Sequence, residues 1–256
     1  MKIGAIFSDY DGTLSPAEVP LSESRVPKDV EEALLEIAAS VPVAIVTSKD
    51  AGFVRPRTRF ASAWACASGL DIVLADGRVG QAPEMSARLP DGLAYAKGLV
   101  KPGMAIETKR DSGGRLLGFS LDWRRSAPPS REAVASAKRT LAGLGLAVVH
   151  DPAMPYLDVF GARPDKGRAV AALKRLLGVR RGVLFLGDSL HDNPAFGEAD
   201  IGLCVDHGQG LERLTCGYVV ESGDLGRLLH LVAGNGLELD LRTLKRRPPA
   251  RGAQEI

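Results

Sequence analysis

Lys2-Ile3-Gly4-Ala5-Ile6-Phe7-Ser8 runs directly into Asp9-Tyr10-Asp11-Gly12-Thr13-Leu14. The first stretch is apolar, with β-branched and aromatic residues, and reads as a buried strand. Residues two apart on an extended chain project to one side, so Asp9 and Asp11 converge where the strand ends. Two carboxylates held together repel unless a cation or a proton lies between them. The pattern therefore calls for bound metal or for one carboxyl kept protonated. Gly12 lets the chain turn sharply at that point.

Outward from this strand, the same rhythm recurs. Residues 27–40 form a predicted helix, with Pro27 in its first turn and Val30, Ala33, Leu34, Ile37 and Ala38 on one face. Val41 to Val46 is a second buried strand, and Ser62 to Ala67 a third apolar segment beyond an arginine-rich connection. Such βαβ order implies a doubly wound, mostly parallel sheet of the α/β class. Between about residues 70 and 160 the signals become hairpin-like, at Ala75-Asp76-Gly77-Arg78 and at Lys109 to Gly114, with one helix predicted from Ser130 to Leu144. From Lys166 the doubly wound rhythm returns: helix Gly167 to Leu177 ended by Gly178, strand Val183 to Leu186, helix Asp192 to Glu198 and strand Ile201 to Val205. The expected division is a core of residues 1–75 and 162–245, an inserted α+β unit at 76–161 and a flexible tail at 246–256.

The chain has 256 residues, 45% of them apolar, and 33 Lys+Arg against 31 Asp+Glu leave a net charge of only +2. Nothing in that balance calls for nucleic acid or a membrane surface as partner. Asp9 and Asp11 interrupt the place where a secretory apolar run would lie, and no stretch approaches the roughly 18 apolar residues of a membrane span. A cytoplasmic protein, monomeric or homodimeric, is expected. Cys66, Cys204 and Cys216 are odd in number and lack C-x-x-C spacing, which predicts buried free thiols rather than zinc ligands or disulfides.

In an open parallel sheet, ligands bind beyond the carboxyl ends of the strands. Asp9, Thr47 and Asp188 each follow a predicted strand and can meet at one rim. Thr47 and the adjacent Ser48 offer a hydroxyl and amides to phosphoryl oxygens, or a helix cap. Lys166 opens a helix, where the dipole disfavours a cation unless an anion or solvent is close. Gly187-Asp188-Ser189-Leu190-His191-Asp192-Asn193 places Asp188 and Asp192 so that both can face one cavity. Hard oxygen ligands point to Mg²⁺ rather than Zn²⁺ and leave His191 as an orienting or solvated side chain. An EF-hand is excluded, since Leu14 and Pro20 occupy the positions that need Gly and Glu.

The order carboxylate pair, hydroxyl, lysine, second carboxylate pair, with an insert between hydroxyl and lysine, resembles the four motifs of the haloacid dehalogenase superfamily of phosphohydrolases. The position of the insert resembles that family's C2 cap class, subtype C2B. The resemblance implies a Rossmann-like core and a Mg²⁺-dependent phosphatase that hydrolyses a small phosphorylated sugar or sugar acid through an aspartyl-phosphate. It makes Asp9 the nucleophile and Asp11 the general acid and base. It also assigns Thr47, Ser48 and Lys166 to the phosphoryl group and Asp9, Asp11 through its main-chain carbonyl, Asp188 and Asp192 to the metal. Asp188 to Phe196 resembles the trehalose-phosphatase pattern, while Thr47-Ser48-Lys49 resembles that of mannosyl-3-phosphoglycerate phosphatases. Phosphoglycolate hydrolysis and phosphotransfer or mutase chemistry are the alternatives. By resemblance Asp158 falls where a sugar-binding acid sits, a surface carboxylate being its other reading. Ser68 stands where relatives often carry Asn, beside the expected phosphate pocket.

Overall fold

The computed structural model describes residues 1–16, 19–80, 82–152, 154–208 and 210–247. In chain order the elements are β1 (Ala5–Ser8), α1 (Lys28–Ala38), β2 (Val43–Val46), α2 (Ala51–Val54), β3 (Ala63–Cys66) and β4 (Asp71–Leu74). Next come α3 (Leu89–Gly98), β5 (Ala105–Arg110), β6 (Leu116–Asp122), α4 (Arg131–Gly143), β7 (Ala147–Val149) and β8 (Tyr156–Phe160). The chain continues through α5 (Lys166–Leu176), β9 (Val183–Gly187), α6 (Asn193–Glu198), β10 (Ile201–Asp206), β11 (Tyr218–Glu221), α7 (Leu225–Gly234) and β12 (Lys245–Arg246).

Two sheets result. The larger has eight strands in the order β12-β11-β10-β9-β1-β2-β3-β4, parallel throughout except for its two edge strands, β4 and β12. Its central strands are apolar at every position because both faces are covered. Ile6, Val43 and Ile45 pack on one side with Val30, Leu34 and Ile37 of α1 and Leu229 and Val232 of α7. Phe7, Ala44 and Val46 pack on the other with Val170 and Leu173 of α5 and Phe196 of α6. β1 lies between β2 and β9, so the connections leave it in opposite directions. A crevice forms at such a switch point.

The smaller sheet is antiparallel, in the order β5-β6-β8-β7. Phe119, Leu121, Leu157 and Val159 on one face pack under the helices through Leu89, Ala96 and Leu141. The alternate residues, among them Lys109, Ser120 and Asp158, form a polar face that is nonetheless buried. Lys49, beyond β2, reaches Glu107 on this face, so the polar side of the small sheet is turned toward the crevice.

Several expectations change. The hairpin signal at Asp76-Gly77 belongs to the edge of the large sheet, where Val73 bridges Val79. A helix, α3, occupies a stretch read as hairpin country. Cys204 and Cys216 are not free thiols: they are joined by a disulfide with a Cα–Cα distance of 5.8 Å, and only Cys66 is a buried free thiol among the described residues. β10 and β11 are neighbours in the sheet, which brings the two sulfurs together although no local spacing announces it. Residues 246 and 247, expected within a flexible tail, are held by the large sheet, because Lys245–Arg246 pair antiparallel with β11 and Arg247 Nε donates to Cys216 O at 3.0 Å. Residues 248–256 lie outside the described residues. Among the described residues no helix is long and apolar enough to cross a membrane.

Candidate active site

Asp9 lies one residue past β1, and its amide still donates to Leu186 O of β9 at 2.9 Å. The ladder thus fixes its backbone while the side chain enters the crevice. Asp9 Oδ1 accepts from the Tyr10 amide at 2.7 Å. The chain then turns at Gly12 with φ +74°, where an added Cβ would sit 2.2 Å from Asp188 Oδ2. Only glycine allows both the left-handed backbone and that close approach. Thr13 Oγ1 donates to Asp188 Oδ1 at 2.8 Å, which ties the turn to the end of β9.

Lys166 Nζ stands 2.6 Å from Asp9 Oδ2 and 2.7 Å from Asp192 Oδ1. It opens α5, whose first turn is capped by Asp165 accepting from the Arg168 amide at 3.0 Å. Asp192 is wholly buried, and its other oxygen accepts from the amides of Asp188 and Ser189 at 3.1 and 3.0 Å. Gly187 leaves the space that Asp192 fills, since a Cβ there would lie 2.7 Å from the Asp192 side chain. Asp9, Asp188 and Asp192 each offer an oxygen within 4.8 Å of the others.

Three carboxylates and one ammonium in this space sum to a charge of −2, which burial makes costly. Burial pushes the Asp9 carboxyl from its usual 3.8 up to about 7, with Lys166 opposing and Asp192 and Asp11 adding to the rise. Burial likewise holds Asp188 well above the carboxylate range, helped by Asp192 and Asp9. Lys166 moves the other way from a buried lysine: burial alone would lower it, but Asp192 and Asp9 outweigh that and keep it charged. The chemical nature of the three donors and the excess of two negative charges fit a hard divalent cation such as Mg²⁺. The Asp11 carboxylate is not part of this oxygen cluster. It faces Lys49 Nζ at 3.7 Å instead.

Thr47 is fully buried at the end of β2, and its hydroxyl oxygen accepts from the Lys49 amide at 3.2 Å. Ser48 is half-buried beside it. Ser68 links this corner to α5: its amide donates to Thr47 O at 2.8 Å and its carbonyl accepts from the Asp165 amide at 2.9 Å. Ala67 and Ser68 carry φ of +48° and +54°. Strain of this kind in non-glycine residues concentrates at ligand sites.

The small sheet contributes Glu107 and Lys109 of β5, whose roles the sequence reading did not single out. Lys49 Nζ donates to both Glu107 oxygens, at 3.1 and 3.3 Å, from a nearly buried position over the Phe53 ring. Asp158 is 2% exposed, not a surface carboxylate. It accepts from Ser120 Oγ and pairs with Lys109 Nζ at 3.5 Å. His191 is partly buried, and its imidazole is held below the usual range by burial and then by Lys166. His207 reaches from beyond β10 to donate from Nε2 to Gly12 O. Alternation of charged residues along β5, Glu107 then Lys109, is the signal that could have drawn attention to that strand.

No family model matches the chain. An uncharacterized glycosyl hydrolase of Mycobacterium tuberculosis is 29% identical over 244 residues, covering 84% of this chain but 18% of that protein. The trehalose-phosphate phosphatase of Mycolicibacterium paratuberculosis is 29% identical over 209 residues, 75% of this chain and 50% of its own length. The chain thus spans half or less of these curated relatives. Among solved structures, a trehalose-6-phosphate phosphatase related protein superposes with a TM-score of 0.70 at 18% identity, over 91% of this chain and 98% of that one. A subclass IIB sugar phosphatase of the haloacid dehalogenase superfamily superposes with a TM-score of 0.64 at 14% identity, over 91% and 99%. The eight-stranded sheet with its carboxylate-lined crevice is the α/β fold that these solved phosphatases share, and trehalose-phosphate phosphatases are among the curated proteins to which the chain is similar.

Proposed function

We propose that this chain is a Mg²⁺-dependent phosphomonoesterase that acts on a small phosphorylated sugar, with Asp9 as nucleophile and residues 76–161 as a cap over residues 1–75 and 162–245. The observation that carries this reading is the group of Asp9, Asp188 and Asp192 around Lys166, two negative charges in excess, at the switch point of the sheet. Asp9, Asp188, Asp192 and the main-chain carbonyl of Asp11 would hold the metal, which supplies positive charge against the phosphoryl oxygens.

An Asp9 oxygen forms the new bond to phosphorus as the bond to the leaving sugar oxygen breaks. Asp11 gives its proton to that oxygen, then takes one from the water that attacks phosphorus and releases Asp9. Lys166 orients the Asp9 carboxylate and shares the charge that spreads over the phosphoryl group. The Thr47 hydroxyl and the Ser48 main chain bind its oxygens. Water is excluded from the closed crevice by the polar face of the small sheet.

Lys49 and Lys109 already face carboxylates, Glu107 and Asp158, so neither is free to grip an acidic substrate. This favours a neutral sugar leaving group, as in trehalose 6-phosphate, over mannosyl-3-phosphoglycerate or phosphoglycolate. Phosphate release with Mg²⁺ from these three esters and glucosyl-3-phosphoglycerate tests the reading. A preference of about 100-fold in kcat/KM, or about 2.7 kcal/mol, for the neutral sugar ester is expected. Absence of phosphate release from every ester between about pH 5 and pH 9, where the carboxyl pair can act, would overturn it.

A further inference from the structure

One ammonium serves two carboxylates that approach it from different sheets. Lys49 Nζ makes both its hydrogen bonds to Glu107 of β5 and stands 3.7 Å from Asp11 Oδ2, close enough to attract and too far to hydrogen-bond. The lysine has little freedom to do otherwise. Its amide is held by Thr47 Oγ1, its carbonyl accepts from the Ala67 amide at 2.8 Å, and its side chain is about one-tenth exposed above the Phe53 ring. Glu107 is equally placed by its sheet, where it sits opposite Ser120, which in turn lies opposite Asp158. Burial favours the neutral form of Lys49, but Asp11 and then Glu107 outweigh it and hold the ammonium above its usual range.

We propose that Glu107 and Lys49 form a positioning relay that makes Asp11 competent only when the small sheet lies over the crevice. With Glu107 present, Lys49 is drawn off Asp11, and the carboxylate is oriented by charge while its oxygens stay available for proton transfer. With Glu107 withdrawn, the ammonium has one remaining carboxylate, Asp11, and moves to hydrogen-bonding distance, which occupies the oxygen that must carry the proton. Glu107 thus acts on Asp11 without touching it. The inference rests on the proposed phosphatase reading.

The alternative role for Glu107, direct contact with the sugar, is separable because the leaving group has departed before the phosphoenzyme hydrolyses. The test is single-turnover decay of the phosphoenzyme in the parent, Glu107→Gln, Lys49→Met, Lys49→Arg and the double variant Glu107→Gln/Lys49→Met. The relay requires Glu107→Gln to slow decay by about tenfold, or about 1.4 kcal/mol. It also requires the double variant to be no slower than Lys49→Met within about twofold, since the two act as one unit. Lys49→Arg should keep most of the rate. Decay of Glu107→Gln at the parental rate, with loss confined to KM for sugar phosphates, makes Glu107 a sugar contact and overturns the relay. Multiplicative effects in the double variant overturn it too. If Lys49→Met does not fold, Lys49→Arg combined with Glu107→Gln supplies the cycle. A parent that forms no phosphoenzyme contradicts the phosphatase reading, whereas a parent that turns over beside an unaffected Glu107→Gln contradicts only the relay.

Discussion

The cluster at the end of β1 and the polar face of the small sheet are both buried and both ionic, yet they are charged differently. Among the described residues the three carboxylates Asp9, Asp188 and Asp192 gather around one ammonium, Lys166, whereas on the small sheet Glu107 pairs with Lys49, which also faces Asp11, and Asp158 pairs with Lys109. A buried site left two charges short is built to receive a cation. A buried face already neutralised is built to hold its shape and to offer hydrogen bonds. Under the proposed function the difference separates a place for chemistry from a place for selection, on two sheets that meet at Lys49.

The sharpest way to break this comparison is at the under-compensated site. Asp9→Asn removes the proposed nucleophile with little change of shape, and kcat should fall by about 10⁴-fold or more in phosphate release. A loss below about 100-fold would remove Asp9 from that role. Lys166→Met takes away the only ammonium of the cluster. A decrease in kcat/KM of about 10³-fold is expected, with a loss of about 3 kcal/mol in denaturant unfolding. Unchanged stability would mean that the three carboxylates do not repel one another.

Metal removal gives the next effect. Asp9 binds its proton more tightly folded than unfolded, about 7 against 3.8, and Asp188 is raised in the same direction. The stabilisation from that proton is complete below the unfolded value and is lost as pH rises through about 7. The metal-free protein should therefore lose thermal stability between about pH 4 and pH 7, and the rise in Tm on adding Mg²⁺ should be larger at pH 8 than at pH 5. An increment that is equal at both pH values would contradict the charge imbalance. The smallest loss of activity is expected on the balanced face. Asp158→Asn leaves Lys109 buried without its charge partner, costing about 3 kcal/mol, and Asp158→Asn with Lys109→Met should recover much of it. KM for sugar phosphates should rise about tenfold in Asp158→Asn while small aryl phosphates are little affected.

What was legible in the sequence follows the same division. Strands of the large sheet are covered on both faces, so each is a short apolar run, and the residue after it marks the crevice whatever its distance along the chain. Asp9, Thr47 and Asp188 could be read from that alone. α3 escaped notice because Pro90, Gly92 and Gly98 blur its helical period. The Cys204–Cys216 bond depends on β10 lying beside β11, and the Lys49–Glu107 pair joins residues 58 apart through the facing of two sheets. Neither leaves a local pattern. Of the two readings of Asp158, the surface carboxylate fails because the burial of the polar face comes from the opposing sheet and not from its own sequence neighbours.

In the proposed mechanism Asp9 accepts the phosphoryl group and Asp11 only moves protons. Mass spectrometry of rapidly quenched protein, mixed with Mg²⁺ and the preferred phosphate ester, tests it directly. A phosphorylated Asp9 peptide is expected to accumulate in Asp11→Asn and never to appear in Asp9→Asn. Equal phosphoenzyme in the two variants, or a phosphoryl group on any other residue, would contradict it.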